Sequence, residues 1–119
     1  MVIPRHIFKM YDIRGLVDTE ITPELAKKIG KAYAILRQKE VPNKQITVVV
    51  GRDMRKSSIN YQTELMEGLV ESGVKVLDIG LVSTPAFYFG VGDLGADGGI
   101  MVSASHNPAA YNGFKLTRE

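Results

Sequence analysis

The sequence has 119 residues, 45% of them apolar and 24% charged, and its 15 basic and 13 acidic side chains leave a net charge of +2. This is a globular balance that excludes disorder, and charge so evenly mixed gives no basis for a nucleic-acid or membrane surface. With no cysteine, no signal-peptide core in residues 1–20 and no run of the ~18 apolar residues a membrane span needs, disulfide and thiolate chemistry are excluded and a soluble, cytoplasmic protein is expected.

In chain order, residues 3–15, "IPRHIFKMYDIRG", mix apolar and basic residues and end on glycine. They predict an extended segment closing in a turn. Thr22 is then an N-cap and Pro23 the first residue of a helix. Leu25, Ile29, Ala32, Tyr33 and Leu36 recur at helical spacing as its buried stripe, and Pro42 and Asn43 end it. "ITVVV" at 46–50 is a β-branched run typical of a strand buried on both faces. It leads into "GRDMRKSS" at 51–58. Ser57 or Ser58 caps a second helix whose stripe is Tyr61, Leu65, Met66, Leu69 and Val70, with Gly73 as its C-terminal stop. Residues 74–80 predict a second strand. Thr84 as N-cap and Pro85 after it open a short helix. Residues 99–105 predict a third strand and 114–117 a fourth. The order β-α-β-α-β predicts an α/β fold: a three-layer α/β/α domain with a small, mainly parallel sheet and right-handed crossovers. The loop before the last strand is too short for a crossover, so that strand runs antiparallel, making the sheet mixed. It needs a cover or a further neighbour, since nothing after it in the sequence supplies one.

Ligands of open α/β sheets sit at the carboxyl ends of the parallel strands. "SASHNPAAYNGFK" at 103–115 lies at such an end. A loop serine can act as nucleophile when a base or metal assists, and a histidine, an asparagine amide and backbone N–H groups can hold an anion. The alternative is that Asn107-Pro108 and Asn112-Gly113 are only turn formers. Two histidines and no cysteine make a poor zinc site, and adjacent Ser105 and His106 do not form a protease triad. "GRDMRKSS" is either a phosphate site or a loop in which Asp53 pairs with an arginine. "DLGADGG" at 93–99 is a turn, since phosphate cradles follow a strand and open a helix.

Together the motifs carry a resemblance. "MVSASHNPAAYNGFK" is similar to the active-site loop of the α-D-phosphohexomutases, and "YDIRG" and "GRDMRKSS" resemble two further motifs of that family in the family's order. The match is closer to the phosphomannomutase/phosphoglucomutase branch than to the phosphoglucosamine mutases. The resemblance implies that Ser105 carries a transferable phosphate and binds Mg²⁺ through it. It implies that Arg14, Lys115 and His106 serve acid/base and charge-stabilising roles, and that Tyr11 and Asn107 contact substrate. It further implies that a hexose 1,6-bisphosphate activates the enzyme. Phosphoryl transfer of this kind depends on positioning and on positive charge around the moving group. Ser103 stands where the family usually has threonine.

The family's aspartate-rich metal loop, sugar-recognition loop and C-terminal phosphate-binding loop do not occur in these residues. The expectation is therefore that residues 1–119 are domain 1 of a longer mutase, clipped at its end. Its partners would be a phosphosugar and the remaining domains of the same polypeptide, and the exposed apolar surface of the piece could drive self-association. The rival readings are a free-standing phosphosugar-binding module and a phosphorylatable domain that mediates contacts.

Overall fold

A computed structural model describes residues 3, 7, 12–104, 108 and 110–118. Among them the elements are β1 (Asp12–Leu16), α1 (Pro23–Glu40), β2 (Thr47–Arg52), α2 (Lys56–Glu71), β3 (Lys75–Leu81), α3 (Thr84–Asp93), β4 (Gly98–Val102) and β5 (Tyr111–Thr117). They build one five-stranded sheet of order β1-β5-β4-β2-β3. Strand β2 pairs in parallel with β3 and β4, while β5 runs antiparallel to both β4 and β1. Four strands thus point one way; β5 opposes them and runs antiparallel to β4, as the sequence predicts. Residues 12–16 differ from expectation. They form an edge strand, so β5 is an inner strand with β1 as its missing neighbour. Their partner lies a hundred residues downstream, and nothing local announces it.

Helices α1 and α2 cover one face, burying Leu25, Ile29, Tyr33, Tyr61, Leu65 and Leu69 with Val48, Val50, Ile100 and Phe114. Helix α3 covers part of the other, where Phe87 and Val91 pack on Val49 and Met101. This is the three-layer arrangement. Buried on both faces, β2 and β4 have no use for the polar alternation of a half-exposed strand.

Helix α1 begins as expected, with the Thr22 hydroxyl accepting from the Leu25 N–H at 3.1 Å and Pro23 in the first turn. Its buried arc is rotated from the predicted stripe. Ala26, Gly30 and Ala34 are buried, whereas Ala32 and Leu36 are exposed and line an apolar groove of about 300 Å³ beside Leu116. The cause is the contact with α2. A Cβ on Gly30 would lie 2.4 Å from the Leu65 carbonyl oxygen, and one on Gly68 would lie 2.2 Å from that of Lys27. The two helices approach backbone to backbone, which turns the small residues of α1 inward.

Helix α2 starts at Lys56, so Ser57 and Ser58 lie inside its first turn, and Arg55 occupies the cap position without a side-chain cap bond. Val70 is exposed and Met66 half-buried, while Ser58, Gln62 and Gly68 take the inner positions. Gln62 is satisfied by the Asp78 carboxylate at 2.9 Å. Gly73 ends the helix with φ of 87°; its N–H donates to Val70 O at 3.0 Å and that of Val74 to Leu69 O at 3.2 Å. In α3 the cap is Ser83, whose hydroxyl accepts from the Ala86 N–H at 3.2 Å, so Thr84 and Pro85 open the first turn.

Residues 94–97 form the turn expected of "DLGADGG". The backbone N–H of Thr47 donates to the Asp97 carboxylate at 2.9 Å, and Lys44 pairs with it as well. Arg37, buried, donates to the Asp97 carbonyl through Nε at 3.0 Å and Nη2 at 2.6 Å. The Tyr33 hydroxyl donates to the Thr117 carbonyl, and burial pushes its phenol up to about 12.

Candidate functional site

Strand alternation divides β1 and β5 between the two faces. Ile13 and Phe114 are register partners that enter the core under α1 and α2. Their neighbours Asp12, Arg14 and Lys115 therefore lie on the opposite face. Asp12 stands directly across from Lys115, and Arg14 across from Gly113. The Arg14 guanidinium is aligned by its Nε donating to Asp12 Oδ1 at 3.1 Å, with about a third of the side chain left exposed. Gly113 is required for this layout. A Cβ there would lie 2.0 Å from the Ile13 carbonyl oxygen and 3.0 Å from Arg14 Cγ. Two of the cationic residues named from the sequence, Arg14 and Lys115, thus share one face on adjoining strands.

Strand β4 is buried along its length and ends at Val102, three residues short of the expected Ser105. Ser103 and Ala104 remain buried, and the Ser103 N–H donates to the Gly113 carbonyl at 2.9 Å. Ser105, His106, Asn107 and Tyr11 fall outside the described residues. The chain is bound again further on. The Tyr111 N–H donates to the Pro108 carbonyl at 2.9 Å, and the Val17 N–H to that of Ala110 at 2.8 Å. Strand β5 begins at Tyr111, so Asn112 and Gly113 are strand residues and not a turn. Asn-Gly favours turns locally, but pairing with Gly15 and Arg14 of β1, with the Ser103 N–H on the Gly113 carbonyl from the other side, overrides that preference.

The "GRDMRKSS" stretch ties the two limbs of this loop together. Asp53 donates its N–H to the Val102 carbonyl at 3.0 Å. Its carboxylate accepts from the Arg55 N–H at 3.1 Å, from Arg55 Nε at 3.1 Å and from the Ser58 hydroxyl at 2.6 Å. Arg55 Nη1 then donates to the carbonyls of Pro108 at 2.8 Å and Tyr111 at 3.2 Å. Of the two sequence readings, the pairing of Asp53 with an arginine is the one observed. Asn112, fully buried, completes the tie by donating to the Ser57 and Ser58 hydroxyls at 2.7 and 2.9 Å. Sequence reasoning did not single out Asn112 for this role. Its only local mark was a polar residue beside an aromatic strand.

Among the described residues no group of three or more His, Cys, Asp or Glu side chains converges to hold a metal. Asp12 and Asp53 are each engaged by an arginine. The described residues therefore do not by themselves fit the Mg²⁺ that the resemblance implies. No helix among them is long and apolar enough to cross a membrane.

The family model described as "Phosphoglucomutase/phosphomannomutase, alpha/beta/alpha domain I" matches residues 5–119. A phosphomannomutase of Vibrio cholerae is 47% identical over 113 residues, covering 94% of this chain and 24% of that protein. A phosphoglucomutase/phosphomannomutase of Thermococcus kodakarensis is 43% identical over 110 residues, which is 92% of this chain and 24% of that one. A phosphomannomutase of Klebsiella pneumoniae is 47% identical, covering 94% of this chain and 68% of its own length. The crystal structure of a Burkholderia thailandensis phosphoglucomutase/phosphomannomutase family protein superposes with a TM-score of 0.88 at 37% identity, over 98% of this chain and 27% of that chain. The chain thus spans about a quarter of the length of the Vibrio and Thermococcus relatives.

Proposed function

The chain belongs to the phosphoglucomutase/phosphomannomutase family, as its α/β/α domain I, and from that premise we propose that it is the phosphoryl-carrying domain of an enzyme that interconverts hexose 1-phosphate and hexose 6-phosphate. Ser105 is the carrier. One observation supports this above the others. Arg14 and Lys115 lie on adjoining strands of one face, beside the strand whose exit leads into Ser105.

The chemistry follows from that placement. A hydroxyl of the bound hexose monophosphate attacks the phosphorus on Ser105 as its proton passes to a basic group of the site, the P–Oγ bond breaks, and Ser105 Oγ takes up a proton from an acidic group there. The sugar leaves this step as a bisphosphate. After it turns over, Ser105 Oγ attacks its other phosphate, regenerating phosphoserine and releasing the isomeric monophosphate. A serine phosphate carries about −1.5 to −2 charge, and fixed cations stabilise the charge that spreads over the moving group. Arg14 and Lys115 supply those cations and serve as acid/base groups with His106, while Tyr11 and Asn107 contact the sugar phosphate. A hexose 1,6-bisphosphate loads Ser105. Mg²⁺ would be held by the serine phosphate and by aspartates from elsewhere in the polypeptide, where it would offset charge on the transferred group. The burial of Ser103 argues against it as the carrier, because a dianion placed there would lose its hydration.

The test is peptide mass spectrometry on the polypeptide that carries this chain, after incubation with glucose 1,6-bisphosphate. Phosphate is expected on Ser105. Ser105→Ala should abolish labelling and turnover, while Ser103→Thr should leave both largely intact. Phosphate confined to Ser103, or a fully active Ser105→Ala protein, overturns the proposal.

A further inference from the structure

We propose that Arg55 is a positioning residue for phosphoryl transfer: with Asp53 it clamps the two limbs of the loop that carries Ser105 and so fixes where the loop sits relative to Arg14 and Lys115. The inference rests on the reading of Ser105 as carrier, but its geometry stands independently.

The loop leaves β4 at Val102 and returns to β5 at Tyr111. A connection of this length has many conformations unless its ends are held. Here both ends are held by one short segment. On the outgoing limb the Asp53 N–H takes the Val102 carbonyl. On the returning limb a single guanidinium nitrogen of Arg55 takes the Pro108 and Tyr111 carbonyls. The segment is itself rigid, because the Asp53 carboxylate accepts from the Arg55 backbone and side chain together and from Ser58 in the first turn of α2. Helix α2 is in turn locked to β5 through Asn112. Each polar residue type in Asp53-Met54-Arg55-Lys56-Ser57-Ser58 except Lys56 thus has a partner in the brace. A planar guanidinium reaches several acceptors at once, which a lysine ammonium on a flexible stem does not reproduce.

This role differs from the phosphate contact that an arginine at a strand end might suggest. A phosphate ligand adds binding energy to substrate, so its loss raises KM and a lysine partly restores it. A positioning residue acts through geometry, and a misplacement of ~1 Å costs on the order of 100-fold in rate. The two also differ in the free protein, where the clamp restrains the returning limb, whose Tyr111 N–H donates to the same Pro108 carbonyl that Arg55 holds.

The experiment has two arms. In the first, hydrogen exchange is followed on the 119-residue chain and on its Arg55→Ala, Arg55→Lys and Asp53→Asn variants. Arg55→Ala should speed exchange in the peptide covering residues 103–111 by about tenfold or more, with α1 and β3 unchanged, and Arg55→Lys should give little rescue. Unchanged exchange in that peptide overturns the clamp. If Arg55→Ala does not fold, Arg55→Lys and Asp53→Asn carry the same comparison. In the second arm, the polypeptide carrying this chain is assayed for mutase turnover. Arg55→Ala and Arg55→Lys should both lower kcat by about 100-fold with KM within about threefold. A raised KM that Arg55→Lys restores overturns positioning in favour of direct phosphate binding. An unchanged kcat with a loosened loop overturns positioning as well. Failure of the carrier reading itself appears elsewhere, as an active Ser105→Ala protein, and leaves the exchange result standing.

Discussion

Gly68→Ala tests whether the two helices on one face of the sheet approach as closely as described. On intrinsic propensity alone the change should stabilise α2 by about 1 kcal/mol. The structure predicts the opposite sign. The new Cβ would fall 2.2 Å from the Lys27 carbonyl oxygen and 3.1 Å from its carbonyl carbon. Restoring van der Waals contact needs a retreat of roughly 1 Å by one helix backbone. Overpacking of this sort costs about 1–3 kcal/mol. Both partners are backbone, so no rotamer change relieves the clash and the upper part of that range applies. Subtracting the propensity gain leaves a net loss of about 2 kcal/mol. In urea unfolding followed by circular dichroism, with a slope of ~1–3 kcal/mol per M, the midpoint should fall by about 1 M. Gly92→Ala in α3 is the control, because nothing lies within 4 Å of its added Cβ. It should raise the midpoint slightly. A rise with Gly68→Ala matching that of Gly92→Ala would refute the close approach.

Asn112→Ala removes its two hydrogen bonds to the Ser57 and Ser58 hydroxyls and the side-chain acceptor of the buried Gly113 N–H; at ~1 kcal/mol each, urea unfolding should show a loss of about 2–3 kcal/mol. Burial opposes the charge on Asp97, but the Lys44 ammonium and the Thr47 N–H outweigh it and hold the carboxyl below its ordinary value. A depressed folded pKa gives stability that is present above the unfolded value of about 4 and lost as pH falls through the folded value. The urea midpoint should therefore drop below pH ~4, and Asp97→Asn should flatten that acid limb while lowering the midpoint at neutral pH; an unchanged limb counts against the pairing. The purified 119-residue chain should show no turnover of glucose 1-phosphate even with Mg²⁺ and a bisphosphate activator, as measured by a coupled assay, and sustained turnover free of contaminating enzyme contradicts the proposal that it acts as the phosphoryl-carrying domain of a larger enzyme.

The elements that sequence patterning located correctly are those whose cause is local. Thr22-Pro23 caps a helix because the orphan N–H groups of a first turn need an acceptor within three residues. Gly73 stops α2 because its φ of 87° suits a residue without Cβ. The one-residue error at Ser83 is of the same kind, since Ser83 and Thr84 are both competent caps and only the backbone angles choose between them. Strand β1 and the rotated arc of α1 were not legible, because each depends on a partner far away in sequence. Asp12–Leu16 becomes a strand only because β5 offers an edge. Ala26, Gly30 and Ala34 face inward only because α2 presents Gly68.

The same distinction explains the site. Ser105, Arg14 and Lys115 could be named from motif likeness, but the placement of Arg14 and Lys115 on one face depends on register. Asp12 opposite Lys115, and Ile13 opposite Phe114, put the charged residues on the face away from the paired helices. One residue of slippage would bury them under α1. Gly113 helps to fix that register, since no side chain fits against the Ile13 carbonyl. "GRDMRKSS" shows what composition leaves undecided. An arginine after a strand is equally fit to hold a phosphate or a carbonyl. What decides is the presence of Pro108 and Tyr111, 53 and 56 positions further along, which the fold brings within reach. The loop that carries Ser105 and the loop that holds it are adjacent because β2 and β4 pair in parallel. Their carboxyl ends then lie side by side, and the segment leaving β2 reaches the residues that flank Ser105, Val102 on one side and Pro108 and Tyr111 on the other.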